Sequence, residues 1–314
     1  MMPILFHVPF IHTAIYSYGL MMVIGFLLGI QLAKYLAKRC GIDPELFVNV
    51  GLIALVAGVV GARASHVLEN IHQYTDPTRS VGANLWDAIN IRSGGLTYYG
   101  GFLLAFPSLV IYAIKKKVSI RLGMDIVAPA LMLGLGFGRI GCFLNGCCYG
   151  ATCELPWAVS YPYDSIPYVE QVDRGQLAAP PELIEYERLM KPAELKAQPS
   201  LAEIARHEHS LAVHPSQLYS TLTAFLICAM LLAYWTIPHA TGRVFALMLV
   251  VEGITRYLLE LLRIEPPVTH LGGYGLSLSM LLGIGFVVLG AILWMYFGIG
   301  EDDLAKSRTV PAVA

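Results

Sequence analysis

Charge is what this chain has little of. Asp, Glu, Lys and Arg make up only 14% of its 314 residues, against about a quarter in a soluble domain, so a fully solvated globular surface is excluded. The two signs almost cancel, leaving a net charge of -1, and no broad basic face remains for nucleic acid. Period-two alternation over segments of about ten residues is also missing, which argues against a transmembrane β-barrel. No repeat of fixed period occurs, which argues against solenoids and against transporters built from duplicated halves. What abounds is apolar: 56% of residues, with a mean hydropathy of +0.61.

These features predict an all-α polytopic membrane protein with about seven transmembrane helices and a small extracytoplasmic head domain. The apolar runs are long enough to cross roughly 30 Å of hydrocarbon as helix. The expected spans are 16–37, 46–68, 96–114, 122–141, 218–235, 244–262 and 276–297. Basic residues follow the first span (Lys34, Lys38, Arg39), join the third to the fourth (Lys115, Lys116, Lys117, Arg121), precede the sixth (Arg243) and follow the seventh (Lys306, Arg308). The positive-inside bias puts all these ends in the cytoplasm, with the N-terminus outside and the C-terminus inside. The first apolar run carries its positive charges behind it, the reverse of a secretory signal, and is read as a retained helix. The expected organisation is 1–141 for four helices with an outer loop at 69–93, 142–217 for the head domain, 218–297 for three helices, and 298–314 for a disordered cytoplasmic tail.

Polar groups within the apolar runs carry the functional signal, because a charge at membrane depth costs a few kcal/mol, about 2.5–3.5 at a helix centre, unless it is paired or hydrated. Glu252, Arg256, Glu260 and Arg263 in "VEGITRYLLELLR" share one helical face by their spacing. Pairing within that helix accounts for the glutamates better than for the arginines. Arg63 in "VVGARASHV" and Arg139 in "GLGFGRIG" have no acidic residue within a turn. A guanidinium matches phosphate oxygens in geometry and charge, so an anionic headgroup is the expected counter-charge. Glycines in "SGGLTYYGG" and "GFGRIGCFLNG" allow close helix packing or leave room for a headgroup. "HPSQLY" (214–219) reads as a helix start, with His214 or Ser216 as cap.

Taken in order, "SGGLTYYGG", "GFGRIGCFLNG", "HPSQLY" and "VEGITRYLLELLR" resemble the motifs of the prolipoprotein diacylglyceryl transferases. The resemblance runs from "YGLMMVIGF" to "GLSLSMLLGI", nearly the whole chain. It implies a bacterial inner-membrane enzyme. Such an enzyme moves the diacylglyceryl group of phosphatidylglycerol onto the lipobox cysteine of a prolipoprotein signal peptide and releases glycerol phosphate. The implied partners are phosphatidylglycerol, prolipoprotein signal peptides and membrane lipids, with no cofactor and no nucleic acid. The implied essential arginines are Arg139 and Arg256, and Tyr99 takes the catalytic position of a family histidine. Tyr18, Arg63, Asn145, Gly146, His214, Gln217, Glu252, Glu260 and Arg263 fall on further motif positions.

Departures from the family pattern lie at Tyr99, Cys142, Cys147, Ser220, Glu252 and Met280. A phenol of ordinary pKa, about 10, is a poor base at neutral pH. His66, His214, Glu252 or water are the alternative proton acceptors. The same departures admit a diverged member that binds or modifies another phospholipid or lipoprotein. Cys142, Cys147, Cys148 and Cys153 cluster at the outer end of the fourth span. Disulfides among them, free packed thiols, and a metal site are the three readings; adjacent Cys147 and Cys148 are poor partners for each other. The spacing is not that of two separated C-x-x-C knuckles, so no metal ligand set is assigned.

Overall fold

The computed structural model describes residues 4–8, 13–75, 79–90, 94–95, 97–185, 188–195, 198–263, 268–271 and 274–298. Seven long helices dominate: α1 (Ser17–Arg39), α2 (Glu45–Glu69), α3 (Tyr98–Lys115), α4 (Ile120–Asn145), α5 (Ser216–Trp235), α6 (Arg243–Glu260) and α7 (Leu278–Gly298). Each falls on one of the expected spans. Five of them, α1, α2, α4, α5 and α7, are long and apolar enough to cross a membrane. Of α3, residues Tyr99–Lys115 form a shorter apolar helix, and α6 is interrupted by its charged face. The protein is therefore a mostly helical membrane protein. The expected tail beyond residue 298 lies outside the described residues.

Local chemistry explains several boundaries. Lys38 and Arg39 close α1 and Lys115 closes α3, where cations meet the negative end of the helix dipole. Gly242, at φ +95°, precedes α6, a backbone state that glycine adopts without a Cβ clash. The Ser277 hydroxyl accepts from the Met280 N–H at 3.2 Å, satisfying one free donor at the start of α7.

Residue contacts divide the chain into two compact units, 1–29 with 128–314, and 30–127. In the second unit, α2 and α3 pack backbone to backbone: a Cβ on Gly101 would lie 2.9 Å from the Gly58 carbonyl oxygen. In the first unit, α6 and α7 do the same, with a Cβ on Gly253 falling 2.6 Å from the Gly283 oxygen. Small residues suit such seams because lipid supplies no hydrophobic drive and helices must gain contact by close approach. The Phe225 ring of α5 covers Gly136 of α4, and Tyr18 and Met21 cover Gly141. At these positions the glycine motifs serve packing; neighbouring side chains fill the space that a headgroup would need.

Between α4 and α5, short helices at Ile166–Asp173 and Pro199–His207 and a two-residue hairpin (Ile184–Glu185 with Arg188–Leu189) surround a small core. Leu183, Met190, Leu195 and Ala205 are buried there, flanked by Tyr163 and Ile204. Val213 bridges Thr152 and Val159, tying this segment back to the start of α5.

Candidate functional site

Three of the charged residues, Arg256 and Glu260 of α6 and Arg263 just beyond it, form a chain of contacts in the first unit. Glu260 is almost fully buried, with its side chain 1% exposed, and lies between Arg256 (3.8 Å) and Arg263 (3.6 Å). Its carboxylate also accepts from the Ser277 hydroxyl at 3.0 Å. Arg256 donates to the Ser279 hydroxyl at 2.7 Å. Both guanidinium groups keep partial exposure, 24% and 15%. With Glu252 the face carries two carboxylates and two guanidinium groups, so pairing leaves no net charge over.

Arg139 differs. It is half-buried on α4, and among the described residues no hydrogen bond or ion pair binds its guanidinium. It lies within electrostatic range of Glu252 and Tyr18. Glu252 takes a hydrogen bond from the Thr255 hydroxyl at 3.4 Å and also feels Arg256. Nearly two turns along α4 from Arg139, and still in the first unit, the helix ends at Asn145, and Gly146 (φ +75°) and Cys148 (φ +61°) bend the chain sharply.

That turn gathers Cys142, Cys147 and Cys148, with all three sulfurs within 4.8 Å of one another. All six cysteines are thiols, so none of the expected disulfides among Cys142, Cys147, Cys148 and Cys153 is present. Cys153 lies outside the trio, and its N–H donates to the Ala212 carbonyl (2.9 Å). The Cys148 thiol is pulled well below the ordinary thiol range by hydrogen bonding with Cys142 and Cys147, aided by the charges of Arg139 and Arg263. The Cys147 thiol donates to the Cys142 carbonyl at 3.8 Å.

"HPSQLY" clamps this turn. Ser216 is the first residue of α5 and caps nothing; its hydroxyl donates to the Cys148 carbonyl at 2.8 Å. The Gln217 amide, fully buried, donates to the Cys147 carbonyl at 2.8 Å and to the Tyr161 hydroxyl at 3.2 Å. His214 pairs through its backbone with Gly150 and Ala151 and sets its ring against Tyr219.

The family model described as prolipoprotein diacylglyceryl transferase matches residues 3–296. The chain belongs to the prolipoprotein diacylglyceryl transferase family. A phosphatidylglycerol–prolipoprotein diacylglyceryl transferase of Clostridium tetani is 26% identical over 98% of this chain and 100% of its own length. Proteins of the same name from Chromobacterium violaceum and Finegoldia magna are 30% and 27% identical, over 91% and 88% of this chain and 92% and 88% of their own.

The remaining family positions lie in the second unit. Tyr99 is exposed near the start of α3. Arg63 is 6% exposed and donates to four backbone carbonyls: Asp87 (2.5 Å), Ala88 (2.8 Å), Gly94 (2.6 Å) and Gly95 (2.9 Å). Two of these end the short Val81–Ile89 helix, where a cation opposes the negative helix terminus. The expectation that only a ligand balances Arg63 is therefore corrected; carbonyl dipoles do so. Gly95 (φ +76°) has no room for a Cβ beside His66 and Arg63. Sequence reasoning missed Ser277 and Ser279, although serines two apart ahead of an apolar run are a helix-start signal.

Proposed function

We propose that this protein transfers the diacylglyceryl group of phosphatidylglycerol to a cysteine thiol of prolipoproteins. The observation that carries the proposal is the half-buried Arg139 guanidinium, to which no acceptor among the described residues binds. Membership of the family supplies the reaction.

In this reading the phosphate of the lipid lies against Arg139 and Arg256, and the substrate sulfur attacks the saturated glycerol carbon. A sulfur–carbon bond forms, the carbon–oxygen bond to phosphate breaks, and glycerol phosphate departs with the electron pair. Guanidinium groups held in a low-dielectric site favour that transition state because charge gathers on the leaving phosphate. Glu260 and Arg263 fix Arg256 from behind, and Glu252 and Tyr18 border Arg139. Asn145, Gly146, His214 and Gln217 shape the turn that ends α4, and Arg63 acts as a positioning residue for the end of the Val81–Ile89 helix and for Gly94 and Gly95. Tyr99 stands at the motif position where the family pattern has its catalytic histidine. The proposed setting is the bacterial inner membrane, with seven crossings, the N-terminus outside, the C-terminus in the cytoplasm and 142–217 as a periplasmic head that meets the signal peptide.

The test uses purified protein, labelled phosphatidylglycerol and a lipobox peptide, with a proven transferase in parallel. A labelled thioether peptide is expected. A folded sample that makes none while the control does would overturn the proposal.

A further inference from the structure

We infer that Cys142, Cys147 and Cys148 bind zinc(II) as a three-thiolate site whose open fourth position takes the substrate cysteine. The fourth-position role rests on the transferase reading above; the three-thiolate site does not. A Zn–S bond of about 2.3 Å in tetrahedral geometry sets sulfurs about 3.8 Å apart. The three sulfurs already lie within 4.8 Å of one another, so small side-chain rotations close the site. Their backbone is fixed independently of any metal: Ser216 and Gln217 hold the Cys148 and Cys147 carbonyls, and Gly146 and Cys148 keep the left-handed turn.

A disulfide would engage only two of the three thiols, and the adjacent pair is strained. A soft d10 cation engages all three, since thiolates select such ions over harder ones. Three thiolates and Zn2+ sum to a single negative charge. Arg139 lies within electrostatic range of Cys148, so it offsets that charge. Three thiolate ligands with one open place is the pattern of a site that accepts a further ligand.

The chemistry meets a need the other residues leave open. Tyr99 stands where the family resemblance implies a histidine, and a phenol is a weak base at neutral pH. A thiol that coordinates zinc gives up its proton outright. On metal uptake the three cysteines release their protons to water; the incoming thiol releases one more as its sulfur binds zinc. That bound thiolate then forms the sulfur–carbon bond as the carbon–oxygen bond to phosphate breaks, and the neutral thioether leaves the metal.

The experiment is metal analysis of the full chain, purified in detergent under reducing, oxygen-free conditions, followed by cobalt(II) substitution. About one zinc per chain is expected for the wild type and for Cys153→Ser, with loss of the metal in Cys142→Ser and Cys148→Ser. The thiolate-to-cobalt absorption is expected to rise when a lipobox peptide is added and not when its cysteine is replaced by serine. A metal-free wild type that cannot be loaded, or one carrying a disulfide between Cys142 and either neighbour, overturns the site even if the serine variants fail to fold. Lipid transfer by such a metal-free sample keeps the transferase reading and removes zinc alone. A zinc-loaded sample that makes no thioether keeps the three-thiolate site and overturns the role of its fourth position.

Discussion

Arg63 and Arg139 stand near the ends of two apolar helices, α2 and α4, the two residues in different compact units, and look alike in sequence. Their surroundings differ completely. Arg63 donates to four backbone carbonyls and braces a loop; Arg139 is bound by no described residue and faces carboxylate and thiol groups only at electrostatic range. A buried charge held by several backbone acceptors is architecture, whereas one that no described residue binds is available to a ligand.

The largest effect that sharpens this contrast is on catalysis. Arg139→Ala is expected to reduce lipid transfer by about 10²–10³-fold or more, the usual loss for one preorganised donor at a developing anion. Its thermal unfolding should stay close to wild type, because no bond to a described residue is lost. Arg63→Ala should invert the pattern. Four charge-assisted bonds vanish, with a destabilisation on the order of 2–4 kcal/mol. Hydrogen exchange should quicken at 79–90 while transfer per folded molecule falls far less than in Arg139→Ala. Equal loss of activity in both variants, at equal stability, would erase the distinction.

The α6 face had announced itself through the spacing of Glu252, Arg256, Glu260 and Arg263, because helical period and charge are both written in side chains. The seven helices were legible for the same reason. The partners of Arg63 were not, since backbone carbonyls carry no residue identity. Nor was the meeting of Cys142, Cys147 and Cys148, which depends on Cys148 adopting a positive φ that cysteine gives no hint of. "HPSQLY" was read as a cap; its serine and glutamine instead reach carbonyls about 70 residues away in sequence, 68 and 70, a distance no local pattern spans.

Two smaller effects extend the comparison. Glu260→Gln removes the carboxylate that faces two guanidinium groups and should cost about 2 kcal/mol, less than a fully buried pair because both arginines retain solvent. Unlike Arg139→Ala, it should lower stability and activity together, read by unfolding and transfer assays on one preparation. The smallest effect is alkaline. Burial raises Tyr149, Tyr161, Tyr163 and Tyr168 above their ordinary value of 10.0, and Tyr149 and Tyr168 also donate to Glu170 and Glu208. Each stays neutral in the fold and would ionise near that value when unfolded, so its contribution is complete below about pH 10 and is lost as pH rises through the raised folded values. Ultraviolet titration should show late, cooperative tyrosine ionisation coupled to loosening of 146–215, and ordinary titration of all four would remove this effect.

The decisive measurement is binding of phosphatidylglycerol in detergent micelles by the wild type, Arg139→Ala and Arg63→Ala, each verified as folded. An available guanidinium predicts that Arg139→Ala alone loses the lipid; undiminished binding by Arg139→Ala would contradict the account at its centre.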